Sequence, residues 1–308
     1  MRSSKPSKQS IRRHSINEPI RPHHAAAAIE VCHLSLRYGA VTVLNDVSFS
    51  IAAGSVLGVV GRNGAGKSSL LQCLLGLTVP HGGASSLHGC SSLALTDAIK
   101  ARLGYVAQTP ELFEWLRVRE QIALIGGLYP GWSEARASAL CRRFELPDDL
   151  RVVKLSLGEK QRLAIVLALA HQPDLLVFDE PSSSLDPVGR RDFLSSLFEQ
   201  EALNGEAVTV VISSHLPDDL ERVVTHLLFL DQGRVQLIGA RDQLAEQIRA
   251  VFTGTPVASQ AGVLHTRKLA DNTWQSVIDV RVLPAGSLPP HARIQALGLA
   301  DLFVALNS

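Results

Sequence analysis

Eight consecutive residues, Gly61-Arg62-Asn63-Gly64-Ala65-Gly66-Lys67-Ser68, follow the spacing G-x-x-x-x-G-K-[ST], which suits a backbone wrapped around phosphate. The glycines let successive N–H groups converge on an anion with no Cβ in the way, and a helix starting behind them adds the positive end of its dipole. Lys67 would reach the β- and γ-phosphates of ATP, and the Ser68 hydroxyl would hold Mg²⁺. Asn63, Ala65 and Ser69 complete the loop and the opening of that helix. A second cluster lies downstream, where the apolar run Leu175-Leu176-Val177-Phe178 ends in Asp179-Glu180. The C-terminal edge of a parallel sheet is where ligands bind. Asp179 there fits an acid that holds Mg²⁺, and Glu180, pointing differently, would polarise an attacking water. Each cluster alone has a plain alternative, a Gly-rich turn or a strand ending in solvated acids. Together they favour phosphate chemistry.

These side chains need elements to hold them. Val56-Leu57-Gly58-Val59-Val60 reads as a buried strand entering the loop, and Ser69-Leu70-Leu71-Gln72-Cys73-Leu74-Leu75 leaves it at helical spacing. Residues 28–54 suggest two short strands with a turn at Tyr38-Gly39-Ala40, and Val47-Ser48-Phe49-Ser50-Ile51 alternates as a half-exposed strand does. Gly82-Gly83 and Gly89 suggest loops, and Leu103-Gly104-Tyr105-Val106-Ala107 a further strand ending at Gln108. The pattern turns helical over 116–150, with Ser133 as an N-cap for a helix through Arg143. Strands return at 175–178, 208–212 and 227–230, with a hairpin turn at Asp231-Gln232-Gly233-Arg234. Near-continuous apolar strands alternating with helices predict a mostly parallel sheet covered on both faces. Beyond residue 240 the character changes: a helix over 241–250, a Gly/Pro-broken stretch, a β-like segment over 274–282 and an amphipathic end over 297–306.

The 308 residues, 46% of them hydrophobic, suffice for one large α/β domain and a smaller unit. The formal net charge of +1 gives no global attraction to nucleic acid or acidic lipid. Residues 1–25 are locally basic, with Arg2, Lys5, Lys8, Arg12, Arg13 and Arg21 against Glu18. They read as a disordered tail, or alternatively as an Arg/Ser-rich transit leader. Cys32, Cys73, Cys90 and Cys141 have neither disulfide-framework nor metal spacing, as expected of thiols kept reduced. No apolar run approaches the roughly 18 residues of a membrane span.

Leu155-Ser156-Leu157-Gly158-Glu159-Lys160-Gln161-Arg162 resembles the signature motif of ATP-binding-cassette (ABC) ATPases, and it precedes the Asp-Glu strand as it does in that family. Other residues fall in family order over about 28–240. Tyr38 is similar to the aromatic that stacks on adenine. Gln108 is similar to the Q-loop glutamine that touches Mg²⁺, Ser184-Leu185-Asp186 to the D-loop, and His215 to the switch histidine near the γ-phosphate. The resemblance implies an α/β P-loop NTPase cassette: a mostly parallel sheet with an antiparallel β subdomain and a helical subdomain over about 109–172. It places the nucleotide-binding domain over 26–240, followed by a small C-terminal α+β extension over 241–308. Two departures stand out, Leu157 and Glu159 where the family usually has Gly and Gln; Glu159 sets an acid beside a site built for anions.

By resemblance, two such domains sandwich two ATPs, so Ser156 and Gly158 of one copy meet the nucleotide held by the phosphate loop of the other, and Asp186 of the D-loop is a further cofactor-binding residue. Glu180 would then orient water while Lys67, Mg²⁺ and His215 offset and hold the reacting phosphate. The implied partners are a second nucleotide-binding subunit and separate membrane permease chains, with no nucleic acid, on the cytoplasmic face of the inner membrane. Residues 111–132 directly follow Gln108 and are the expected docking surface. Leu128-Tyr129-Pro130-Gly131-Trp132 and the 299–304 end are similar to cassettes paired with type-2 exporter permeases. Rival readings are a non-transport ABC ATPase acting on ribosomes or nucleic acid and a regulatory module that hardly turns over. No second cassette and no long coiled-coil insertion is present to favour the former.

Overall fold

A computed structural model of the chain describes residues 27–186, 188–190, 192–195, 208–217, 220–221, 223–284 and 286–306. The basic segment 1–25 lies outside the described residues. Strands β1 (Ala27–Tyr38), β2 (Val41–Ala52), β4 (Gly82–Leu87) and β5 (Cys90–Ser91) form one sheet in the order β2-β1-β4-β5, all antiparallel. The first two are longer than the short strands the sequence suggested, because irregular registers let them bend without parting. Gly82-Gly83 opens a strand rather than a loop, and the missing side chain of Gly83, whose Cβ would collide with the Cys32 carbonyl oxygen, lets β4 lie against β1.

The second sheet is six-stranded, in the order β10-β9-β3-β8-β7-β6: β3 (Val56–Val60), β6 (Leu103–Val106), β7 (Leu175–Asp179), β8 (Thr209–Ser214), β9 (His226–Asp231) and β10 (Arg234–Ala240). Only the β9–β10 hairpin is antiparallel; its turn is the expected Asp231-Gln232-Gly233-Arg234. The period of two divides each apolar run between two cores. Val60, Leu176, Phe178, Val210, Ile212, Leu227 and Phe229 join one. Leu57, Val59, Leu175, Val177, Val211, Leu228 and Leu230 join the other, with β1 and α1 (Lys67–Leu74). A strand buried on both faces has no polar side to show, which is why these runs are apolar throughout.

Over 116–150 the helical pattern resolves into α3 (Val118–Gly126) and α4 (Glu134–Arg143), after the short α2 (Asp97–Lys100). Ser133 caps α4 as read, accepting from the Arg136 N–H. Helix α5 (Leu157–Leu169) packs against both and against β6. Ring contacts fix the 128–132 motif here: Tyr129 stacks on the buried His171 at 4.0 Å, and Trp132 donates to Glu134 at 3.1 Å. The helix expected over 241–250 stops early. It is α6 (Arg241–Gln247), and Ile248 begins strand β11 (Ile248–Thr253). The run Ile248-Arg249-Ala250-Val251-Phe252 pairs on both sides, and its β-branched and aromatic residues favour strand over continued helix. With β12 (Val263–Lys268), β13 (Trp274–Asp279) and β14 (Arg293–Ala296) it makes an antiparallel sheet covered by α7 (Leu299–Leu306).

Candidate active site

Parallel pairing brings three strand ends to one level. Val60 of β3 faces Ser214 of β8, and Ser213 of β8 faces Asp179 of β7. The phosphate loop leaves β3 there and turns into α1 at Gly66, whose φ of 105° lies in the left-handed region. A Cβ on Gly66 would also sit 2.7 Å from the Val43 carbonyl oxygen, so glycine is required twice over. Gly61, Ala65 and Gly66 are buried, Asn63 and Gly64 exposed, Ser68 and Ser69 half-buried at the head of α1.

Lys67 is only 5% exposed and its Nζ has three oxygens in reach: the Gly61 carbonyl at 2.8 Å, the Arg62 carbonyl at 3.3 Å and Glu180 Oε1 at 3.0 Å. A buried ammonium needs such partners. Glu180, also 5% exposed, meets His215 Nδ1 through its other oxygen, so one carboxylate joins the loop lysine to the histidine beyond β8. The backbone of Glu180 is left-handed, φ 49°, a conformation that costs a non-glycine residue roughly 1–3 kcal/mol. Its N–H is fixed by donating to Ser213 Oγ at 2.8 Å, and the same hydroxyl donates to Asp179 Oδ1 at 2.7 Å. Ser213 is fully buried and was not singled out from the sequence; the available signal was a hydroxyl at the end of an otherwise apolar strand. Tyr105 on β6 registers the local negative charge: burial first, then Asp179 and Glu111, push its phenol up to about 12.

Other predicted residues surround this centre at a distance. Gln108 is exposed two residues past β6, on the strand edge beside β7. Tyr38, 52% exposed, ends β1 at the hairpin with β2, the strand whose Val43 packs on the phosphate loop. Ser156 caps α5: its Oγ and N–H both donate to Glu159 Oε2 at 2.7 Å, and its Oγ accepts from the Glu159 N–H at 3.3 Å. Asp186 is exposed, and its carboxyl is held below the usual range first by the Gly189 N–H, with Arg162 assisting at 3.1 Å. Gly158 lies so close to the D-loop that a Cβ would be 3.0 Å from the Ser184 carbonyl oxygen. Thus Lys67, Asp179, Glu180 and His215 converge, whereas Ser156, Gly158 and Asp186 form a separate group joined to one another through α5 and the loop after Glu180.

Residues 44–183 match the ABC transporter domain family. The chain is 33% identical over 284 residues to the Nod factor export ATP-binding protein I of Paraburkholderia xenovorans (strain LB400), covering 87% of this chain and 90% of that protein. The chain belongs to the ABC transporter ATPase family. This ABC ATPase is also 31% identical to the bacitracin transport ATP-binding protein BcrA of Enterococcus faecalis, over 67% of each chain. Among solved structures it superposes on an ATP-binding subunit of an ABC transporter with a TM-score of 0.64 and 32% identity, over 71% of this chain and 92% of that one. As an ABC ATPase it binds and hydrolyses ATP. Among the described residues, no helix is long and apolar enough to cross a membrane.

Proposed function

We propose that this ABC ATPase is the motor of an exporter, working as two copies on separate permease chains at the cytoplasmic face of the membrane. The observation that carries the reading is the Lys67–Glu180–His215 constellation, its lysine and glutamate buried, which supplies a phosphate-binding cation and a poised carboxylate within one strand-end cluster. Likeness along nearly the whole length to a protein named for export supports the transport direction.

In this reading the loop amides and Lys67 hold the β- and γ-phosphates, and Tyr38 lies against adenine. Glu180 accepts a proton from water as the water oxygen bonds to the γ-phosphorus and the bond to the β–γ bridging oxygen breaks, releasing ADP and phosphate, and His215 keeps that carboxylate aimed. The donor set fits Mg²⁺: the Ser68 hydroxyl, the Asp179 carboxylate and the Gln108 amide oxygen are hard oxygens, and Mg²⁺ in such sites takes one or two carboxylates plus phosphate and water. Bound there, the ion offsets negative charge on the phosphates. Ser213 holds Asp179 by one oxygen, so the other would be the one available to hold the ion. Ser156 and Gly158, at the head of α5, would meet the nucleotide of a second copy.

The permease would dock on the segment following Gln108. Trp115 is 69% exposed and Phe113 packs on it at 5.2 Å, with Leu124 and Leu128 also exposed nearby in sequence. Uncovered aromatic and aliphatic surface of this kind marks an interaction site. Purification of the tagged chain from its native membranes in mild detergent tests the assignment. A polytopic membrane protein in stoichiometric amount is expected; recovery with ribosomes or nucleic acid, and no membrane protein, would overturn it.

A further inference from the structure

Of the two departures noted in the signature segment, Glu159 changes what the signature serine is bonded to. Ser156 closes a capping box on α5 with Glu159: hydroxyl and N–H both point at the same carboxylate oxygen, 2.7 Å away. A hydroxyl has a single proton to donate. In this chain that proton is already given to an ionised acceptor, and charge-assisted bonds of this sort are about twice as strong as neutral ones. The two Ser156 bonds hold the Glu159 carboxyl below the usual carboxylate range, and Arg162 adds to this more weakly. Arg162 itself is engaged by Asp186 at 3.1 Å and by the Phe144 carbonyl at 3.4 Å. Lys160, the next residue, is taken by Glu114 at 2.7 Å. The neighbouring cations are therefore tied to other acids, and the head of α5 presents a negative charge where its dipole and free amides would otherwise favour an anion.

We propose that Glu159 is a positioning residue that brakes ATP-driven closure of the two-copy state: it holds the Ser156 hydroxyl within the chain and repels the phosphate that Ser156 must meet in the second copy. This rests on the reading that Ser156 faces the nucleotide of another copy. Closure then requires the Ser156–Glu159 bond to be given up or shared, so ATP alone closes the pair weakly and a bound permease supplies the remainder.

Gln at position 159 separates a brake from a simple helix cap, because Ser-x-x-Gln forms the same capping box without the charge. The experiment uses the full chain in a Glu180→Gln background, where hydrolysis is blocked, and measures ATP- and Mg²⁺-dependent self-association by sedimentation. Adding Glu159→Gln is expected to tighten association on the order of tenfold, with unchanged thermal midpoint, and the gain should shrink as salt is raised. Glu159→Ala, which loses both cap and charge, should also tighten association while lowering the midpoint. Equal association with Glu and Gln at 159 overturns the brake, as does weaker association in both variants in parallel with stability, which is the behaviour of a cap. If the Glu180→Gln chain never associates with ATP, the two-copy reading fails and takes the brake with it. An associating pair that ignores residue 159 defeats the brake alone.

Discussion

The phosphate-side group and the signature group differ in how completely the chain equips them. Around Lys67 and Glu180, the lysine and both carboxylates are buried and met: lysine by two carbonyls and a carboxylate, Glu180 by Lys67 and the half-buried His215, Asp179 by Ser213. Around Ser156, the partners are local and the setting is exposed; the serine bonds a residue one turn away and Asp186 bonds Gly189 and Arg162. A buried charge must be satisfied by the fold that buries it. An exposed group with only local partners can exchange them for an outside one. The first group is thus finished within one chain, while the second is a surface whose meaning depends on what arrives.

The contrast predicts different losses on each side. Lys67→Ala is the largest. It deletes the cation aimed at the phosphates, and turnover should fall roughly 10²–10³-fold with loss of nucleotide binding by the isolated chain. Phosphate release and titration with a fluorescent nucleotide measure both; unchanged affinity would sink the phosphate-loop assignment. Ser213→Ala comes next. It leaves a buried Asp179 oxygen and the Glu180 N–H without their shared partner, costing about 1–3 kcal/mol of stability. Turnover should fall about 10–100-fold as the two carboxylates lose alignment. A drop in stability with full turnover would make Ser213 a core residue only, and the first group less integrated than its hydrogen bonds suggest.

The phosphate loop, the Asp-Glu strand end and the positions of the central strands along the chain were legible because each is local: a glycine spacing, an apolar run, a carboxylate at its end. The Ser133 cap and the Asp231–Arg234 turn were legible for the same reason. What escaped were features that depend on distant partners. Gly82-Gly83 carries turn chemistry and still pairs as a strand, because β1 runs alongside. Ile248 follows a helical run, yet it pairs with Asp279 some thirty residues away. Ser213 reads as the polar end of β8 until Asp179 and Glu180 are set beside it by the register of two parallel strands. The Glu159 departure was visible, and its carboxylate near an anion site was expected. Its bond to the signature hydroxyl was not, although Ser-x-x-Glu before an apolar run is itself a capping-box pattern.

The smallest expected effect is also the one that most sharpens the comparison. Ser156→Ala removes the N-cap of α5, for about 1 kcal/mol of stability, or about 2–4 °C in thermal midpoint for a domain of this size. It touches nothing in the phosphate-side group, so nucleotide affinity of the isolated chain should stay at the parent value. Turnover should nonetheless fall about tenfold, the worth of one hydrogen bond to a charged acceptor. Loss of turnover with intact affinity is the outcome required if Ser156 acts on a nucleotide held elsewhere. Weaker binding by the isolated chain would instead mean that the two groups meet within one copy, and the division between a finished site and a waiting surface would be wrong.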